Sequence, residues 1–166
     1  GIGPQRAEAI VDGLRRQRAV RQVMVFLQGH GIGAAHAARI YRVYGDEAVS
    51  LLRSNPYRLA ADVPGIGFKT ADGIARSVGI EHDAPERLAA GLEYALVDAA
   101  GRGHVCVVRE ELLQQAAEML QVGVEKLAPA LDDLAAKGRV VVDEESGADY
   151  VYLQRLYRAE VELAKG

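Results

Sequence analysis

The sequence predicts a mainly α fold, in which tandem helix-hairpin-helix repeats are followed by a small α+β winged-helix-like unit. Three observations carry that expectation. A pattern opening on Gly-Ile-Gly recurs three times in the first half; the second half reads helix, strand, helix, helix, strand, strand; and the composition suits small helices packed closely. Of the 166 residues, 49% are hydrophobic but only 5% aromatic, with no Trp, so the core is expected to be built from Ala, Leu, Val and Ile.

The repeat is G-I-G-x-x-x-A-x-x-I. Its copies are Gly1-Ile2-Gly3 with Ala7 and Ile10, Gly31-Ile32-Gly33 with Ala37 and Ile40, and Gly65-Ile66-Gly67 with Ala71 and Ile74, spaced by 30 and 34 residues. That period suits one helix-turn-helix unit each. The two glycines are expected to allow positive φ and close approach of another chain. The Ile between them pins the loop, and the Ala and Ile that follow at helical spacing start a helix directly after the second Gly. Such a bend presents amide hydrogens at a positive helix N-terminus, which suits a phosphate oxygen.

The third copy is the fullest. Asn55-Pro56 reads as a helix start, Tyr57 to Ala61 as a short helix, and Phe68 to Val78 as a second helix closed by Gly79. Lys69 and Thr70 fall in its first turn, where a cation opposes the helix dipole by about 0.3–1 kcal/mol, so Lys69 is read as aimed at an anion. In the second copy, Ala19 to Gln28 and Ala34 to Tyr44 are the expected helices, with His30 and His36 nearby. The first copy opens at its hairpin, with Arg6, Arg15, Arg16, Arg18 and Arg21 following; lacking a leading helix, it is expected to dock poorly. The candidate phosphate-binding residues are therefore Gly65, Ile66, Gly67, Lys69, Thr70, Gly31, Gly33, Gly1, Gly3 and Arg6. The run Val23 to Leu27 followed by Gly29-His30-Gly31-Ile32-Gly33-Ala34 also matches a dinucleotide fingerprint. Val20, Val23, Met24 and Leu27 fit one helical face better than a strand, and no acidic strand end follows about 20 positions on, so that reading is set aside.

In the second half, residues 84 to 101 read as an amphipathic helix carrying Leu88, Leu92, Ala95, Leu96 and Ala99. His104 to Val108 reads as a strand, Glu110 to Leu120 and Val124 to Lys137 as helices, and Arg139 to Asp143 with Tyr150 to Leu153 as strands around a loop of residues 144–149. The expected organisation is 1–80 for the repeats, 81–155 for the winged-helix-like unit and 156–166 for a lead-in to a further domain. A DNA-reading third helix would carry Arg, Lys, Asn or Gln. This one offers Glu125, Lys126, Asp132, Asp133 and Lys137, with Glu144, Glu145 and Asp149 in the loop, so structural support or protein docking is the better reading.

The formal net charge of −3 conceals an asymmetry. Residues 1–80 hold 11 basic and 6 acidic residues, net +5, whereas residues 81–166 hold 9 and 17, net −8. The basic half suits phosphates and the acidic half suits water or a protein partner. Cys106 cannot form an internal disulfide and reads as a small core residue; no apolar run is long enough to span a membrane, and the cytoplasm is the expected compartment. The chain opens on Gly without a signal-peptide pattern, which reads as a piece of a longer polypeptide. No catalytic or metal constellation is expected: Asp132-Asp133 and Glu110-Glu111 are helix neighbours that do not face each other, and His30, His36, His82 and His104 lack metal-ligand spacing. No G-x-x-x-x-G-K-[S/T] loop occurs.

The chain resembles the region preceding the motor in RecD-like DNA helicases, the long-form subfamily that occurs without RecB and RecC partners. The residues carrying the resemblance are Arg21 to Leu27, Tyr44-Gly45-Asp46-Glu47-Ala48, Asn55-Pro56-Tyr57-Arg58-Leu59, and Gly65 to Asp72; Leu156-Tyr157-Arg158-Ala159-Glu160 resembles the family's lead into the ATPase core. The resemblance implies an ATP- and Mg-dependent parent helicase moving five-prime to three-prime on single-stranded DNA, in DNA repair or recombination, with its Walker loop beyond Gly166. It implies no cofactor and no catalytic residue within this stretch. Two readings follow. Either the repeats grip the backbone of single-stranded or forked DNA without sequence preference, or the region is a scaffold docking a protein partner or the motor core of its own polypeptide.

Overall fold

The computed structural model describes residues 3–145 and 147–154, and it divides into two compact units, Gly1–Ile80 and Glu81–Gly166. The first is wholly helical among the described residues. It contains α1 (Pro4–Gly29), α2 (Ala34–Tyr44), a 3₁₀ turn (Gly45–Glu47), α3 (Ala48–Ser54), α4 (Arg58–Asp62) and α5 (Phe68–Ser77). Pro4 at the start of α1 has no amide hydrogen to leave unpaired there. The core follows the repeat: Val23, Leu27, Ile32, Ala37, Ile40, Leu52, Leu59, Val63, Ile66, Phe68, Ala71 and Ile74 are all buried.

Two expectations change. The helix foreseen over Ala19 to Gln28 is instead the end of one continuous helix, α1, which also contains the helix of the first repeat. Nothing between Pro4 and Gly29 stops it: Gly13 weakens a helix by about 1 kcal/mol relative to Ala but does not terminate it. Between α2 and α4, Ala48–Ser54 forms a helix that the repeat does not foreshadow.

Each helix end has a local cause. At the end of α1, Gly31 takes φ +79°, its amide donates to the Gln28 carbonyl at 3.1 Å, and the Ile32 amide donates to the Leu27 carbonyl at 3.0 Å. This is a Schellman ending, in which glycine takes the left-handed position. The ends of α5 and of two helices in the second unit repeat it, at Gly79, Gly103 and Gly138.

The second unit contains α6 (Pro85–Gly101), β1 (Cys106–Val108), α7 (Arg109–Leu120), α8 (Val124–Ala136), β2 (Val140–Glu145) and β3 (Ala148–Leu153). The strands form an antiparallel sheet in the order β1-β3-β2, with Val107 opposite Val151 and Val142 opposite Val151. Its apolar positions Val107, Val140, Val151 and Leu153 join Leu88, Leu92, Leu112, Leu120, Leu127 and Leu131 in one core. The six-residue loop expected over 144–149 is much tighter, because Glu144 pairs with Asp149 and Glu145 with Ala148. Acidic residues are depleted in strands, which hid the extension, and Gly147 at φ +81° closes the turn. Ser146 and residues 155–166, including the expected lead-in, lie outside the described residues.

Among the described residues, Arg87 is the one buried charged side chain in this core, 5% exposed. Its Nη1 donates to the His82 carbonyl at 2.8 Å and to the Leu120 carbonyl at 2.9 Å. A cation at the end of α7 meets the negative pole of that helix and satisfies a terminal carbonyl. Beside it, His82 Nε2 lies 2.6 Å from the Gln121 carbonyl, and Lys126 Nζ lies 3.1 Å from Asp83 Oδ2. The lysine holds the Asp83 carboxyl below its ordinary range, by hydrogen bond and then by charge. The segment ahead of α6 is thus tied to the turn between α7 and α8.

Candidate nucleic-acid interface

Both complete hairpins expose their glycines and bury their isoleucines. Gly31, Gly33, Gly65 and Gly67 are exposed, whereas Ile32 and Ile66 are buried. The isoleucine is the peg that fixes the bend. Its amide is also engaged, in the second hairpin by donation from Ile66 to the Val63 carbonyl at 3.2 Å, so Ile66 anchors the bend through packing and this bond.

The two glycines of each hairpin do different things. The first is required by the chain path. Gly31 is the left-handed residue of a Schellman ending, and Gly65 follows Pro64 at φ +88° in a bend closed by the Ile66-to-Val63 bond, the pattern of a type II turn. The second is not. Gly33 and Gly67 have φ of −66° and −91°, backbone that any residue adopts, and a Cβ placed on either would meet nothing within 4 Å. What a side chain there would occupy is the open space before the first turn of the following helix. That helix start is where amide hydrogens lack intrahelical acceptors. Both glycines precede such a turn: Gly33 caps α2 and Gly67 caps α5, where Lys69 and Thr70 are exposed in the first turn.

Each hairpin is also tied to the second helix of the other. His30, at the end of α1, pairs through Nδ1 with Ser77 Oγ at the end of α5. Arg39, on α2, donates through Nη1 to the Pro64 carbonyl at 3.4 Å, and its guanidinium stands where a Cβ on Gly65 would lie. Arg39 was not among the residues that the sequence singled out, since nothing in its spacing links it to a hairpin 25 positions on. It adds an exposed cation beside Gly65. Tyr57 and Phe68 stack across the second hairpin with ring centroids 5.7 Å apart, and Tyr57 Oη donates to Asp72 Oδ1 at 2.6 Å, which fixes α4 against α5.

The first copy differs. Gly1 lies outside the described residues; Gly3 caps α1, with its carbonyl accepting from the amides of Arg6 at 3.1 Å and Ala7 at 3.0 Å. Arg6 is exposed in the first turn. Residues Gln5 to Arg18 are all exposed, so no other helix of the described unit covers the start of α1.

In the second unit the exposed cations of the third helix, α8, already face carboxylates. Lys126 pairs with Asp83 at 3.1 Å and Lys137 with Asp133 at 2.8 Å, while Arg109 of α7 pairs with Asp132 at 3.4 Å. A phosphate would have to displace a carboxylate at each. Among the described residues no group of three or more His, Cys, Asp or Glu side chains could hold a metal ion, and no helix is long and apolar enough to cross a membrane.

Comparison with known proteins agrees with this architecture. Residues 16–106 match the family described as the ATP-dependent RecD2 DNA helicase HHH domain. Over 174 aligned positions the chain is 28% identical to the ATP-dependent RecD2 DNA helicase of Deinococcus radiodurans, a match covering 99% of this chain and 24% of that protein. The chain thus spans about a quarter of the length of this curated relative. Since the family match takes in both complete hairpins and more than half of the sequence, the chain belongs to the RecD2 helicase HHH-domain family.

Proposed function

We propose that the helical unit grips the sugar-phosphate backbone of DNA without sequence preference, as a non-catalytic accessory region of an ATP-dependent DNA helicase. The observation that carries this reading is the state of Gly33 and Gly67. Neither its backbone angles nor its packing requires glycine, and each stands in the open space where a phosphate would approach the first turn of a helix. Lys69 beside one hairpin and Arg39 beside Gly65 add the positive potential that steers a polyanion. No side chain there is set out to read base edges, which is why the binding is proposed as nonspecific and directed to single-stranded or forked DNA near a motor. Gly3 and Arg6 would add a contact only if the first hairpin were completed. ATP, magnesium and five-prime to three-prime movement belong in this proposal to a motor elsewhere in the polypeptide, working on DNA in the cytoplasm during repair or recombination.

The second unit is proposed as a winged-helix-like support that docks protein instead of reading DNA. The pairing of Lys126 and Lys137 with carboxylates favours this role. Titrating labelled single-stranded and forked oligonucleotides with the chain at several salt concentrations tests the proposal. Binding that weakens with salt supports it, and no binding to either DNA removes it.

A further inference from the structure

The sheet of the second unit ends on an open strand edge. In the order β1-β3-β2, β2 has β3 on one side and, among the described residues, no strand on the other. The Gln154 amide donates to the Arg139 carbonyl at 3.3 Å, one step beyond the partners Val140 and Leu153, so Arg139 and Gln154 form a hydrogen-bonded pair. Bonded and non-bonded pairs alternate along an antiparallel ladder. Val141, Asp143 and Glu145 therefore bond to β3, while Val140, Val142 and Glu144 turn their amides and carbonyls away from it. Val140 is buried, with α8 packed on β2, which closes that end. Val142 is half-buried and Glu144 exposed, so their outward backbone groups form the open part of the edge.

Such an edge is a template for a further strand unless Pro, Lys, a bulge or a covering element blunts it. The register runs from Val140 to Glu145 without a bulge, and the strand contains neither Pro nor Lys. What it contains is acid. Glu144 stands directly opposite Asp149 in a non-bonded pair, where side chains lie closest and like charges repel. Asp143 lies on the other face, opposite Tyr150. Among the described residues none of these three carboxylates faces a cation, whereas Asp83, Glu93, Asp98, Asp132 and Asp133 each do. The edge is thus guarded selectively. Its carboxylates repel an acidic strand, the same strand of a second copy and a phosphate backbone, and they admit a cationic strand.

We propose that the Val142–Glu144 edge docks an extended, Lys- or Arg-bearing strand of a protein partner, which joins the sheet beside β2 and neutralises Glu144 and Asp149. This rests on the reading of the second unit as a protein-docking support, and it names the surface used and the chemistry of the partner. Main-chain bonds to Val142 and Glu144 supply attachment, and cations at alternate positions of the added strand fall on the face that Glu144 and Asp149 share.

Amide hydrogen exchange, read by NMR on the isotopically labelled chain, tests this with a short synthetic peptide of alternating Lys and Val. In the free chain Val142 and Glu144 should exchange faster than Val141 and Asp143. With the peptide at about ten times its Kd, exchange of Val142 and Glu144 should slow about tenfold. A peptide with Glu in place of every Lys should leave both fast, and Glu144→Lys, which supplies a cation opposite Asp149, should lose the protection. Peptide binding that leaves both amides fast, equal protection by the Glu peptide, undiminished protection in Glu144→Lys, or no binding would each overturn the proposal. Slow exchange of both amides in the free chain would overturn it as well, and protection that grows with chain concentration would assign the edge to a second copy. Adding a single-stranded oligonucleotide keeps the two readings apart: shifts across residues 81–154 would overturn the protein-docking reading itself, whatever the peptide does.

Discussion

The guanidinium of Arg39 donates to the carbonyl of Pro64 at 3.4 Å and fills the position that a Cβ on Gly65 would take. With φ +88° at Gly65, the chain path makes the first glycine of the second hairpin a structural necessity, the Arg39 guanidinium being a side-chain end that can move aside, and it places no such demand on the second glycine, Gly67.

Gly65→Ala is therefore expected to destabilise the first unit by about 1–3 kcal/mol, from positive φ, with the exposed end of Arg39 moving aside at little cost. Gly67→Ala should cost less, at most about 1 kcal/mol, the loss of a glycine N-cap on α5. Urea unfolding followed by circular dichroism checks the pair. Equal effects would mean that the two glycines share one role.

Lys69 is exposed in the first turn of α5. If it neutralises a phosphate, Lys69→Glu should lower affinity for every sequence alike and reduce the log–log salt slope by roughly 0.7–0.9, with little change in stability. Fluorescence anisotropy at four or more salt concentrations measures the slope. An unchanged slope would place Lys69 away from the backbone.

Arg87→Met removes the donor to the His82 and Leu120 carbonyls while keeping most of the side-chain volume. Leaving these acceptors short of a partner is expected to cost about 2–3 kcal/mol. Hydrogen exchange should show the loss in amides of α6 and α7; loss spread evenly over the whole chain would contradict a local role for Arg87.

Tyr44 Oη donates to Asp62 Oδ2 at 2.8 Å, and Arg58 Nη2 lies 3.3 Å from the same carboxylate oxygen. Burial first, then the hydrogen bond and charge of Asp62, raise the Tyr44 pKa above its ordinary value of 10.0. The folded state thus holds this proton more tightly than the unfolded state. The contribution to stability is fully present below about pH 10 and is lost as pH rises further. Urea midpoints from pH 8 to pH 11.5 should fall more steeply for the parent chain than for Tyr44→Phe.

Much of this was legible in the residues. The repeat located both complete hairpins, and the glycines at 79 and 138 marked helix ends correctly because the left-handed position has few other occupants. Besides the Ala48–Ser54 helix and the longer β2–β3 ladder, three things were hidden. The joining of the first two repeats through one helix was masked because the repeat marks where each helix follows its hairpin but carries no sign of where that helix ends. Arg39 was invisible because its relation to Gly65 exists only after α2 and the second hairpin pack. The unequal roles of the paired glycines could not be separated from sequence, because positive φ and open space both select the same residue type.

The central claim is that the space in front of Gly67 receives a DNA phosphate. Titrating fluorescein-labelled single-stranded and forked DNA with the parent chain and with Gly67→Val tests it most directly, because Gly67 has ordinary φ and no neighbour for a side chain to strike. The account predicts that Gly67→Val remains folded, with only the modest loss of stability expected at an N-cap, and loses at least about tenfold in affinity, roughly 1.4 kcal/mol. Unchanged affinity in a folded Gly67→Val variant that still binds DNA would contradict it.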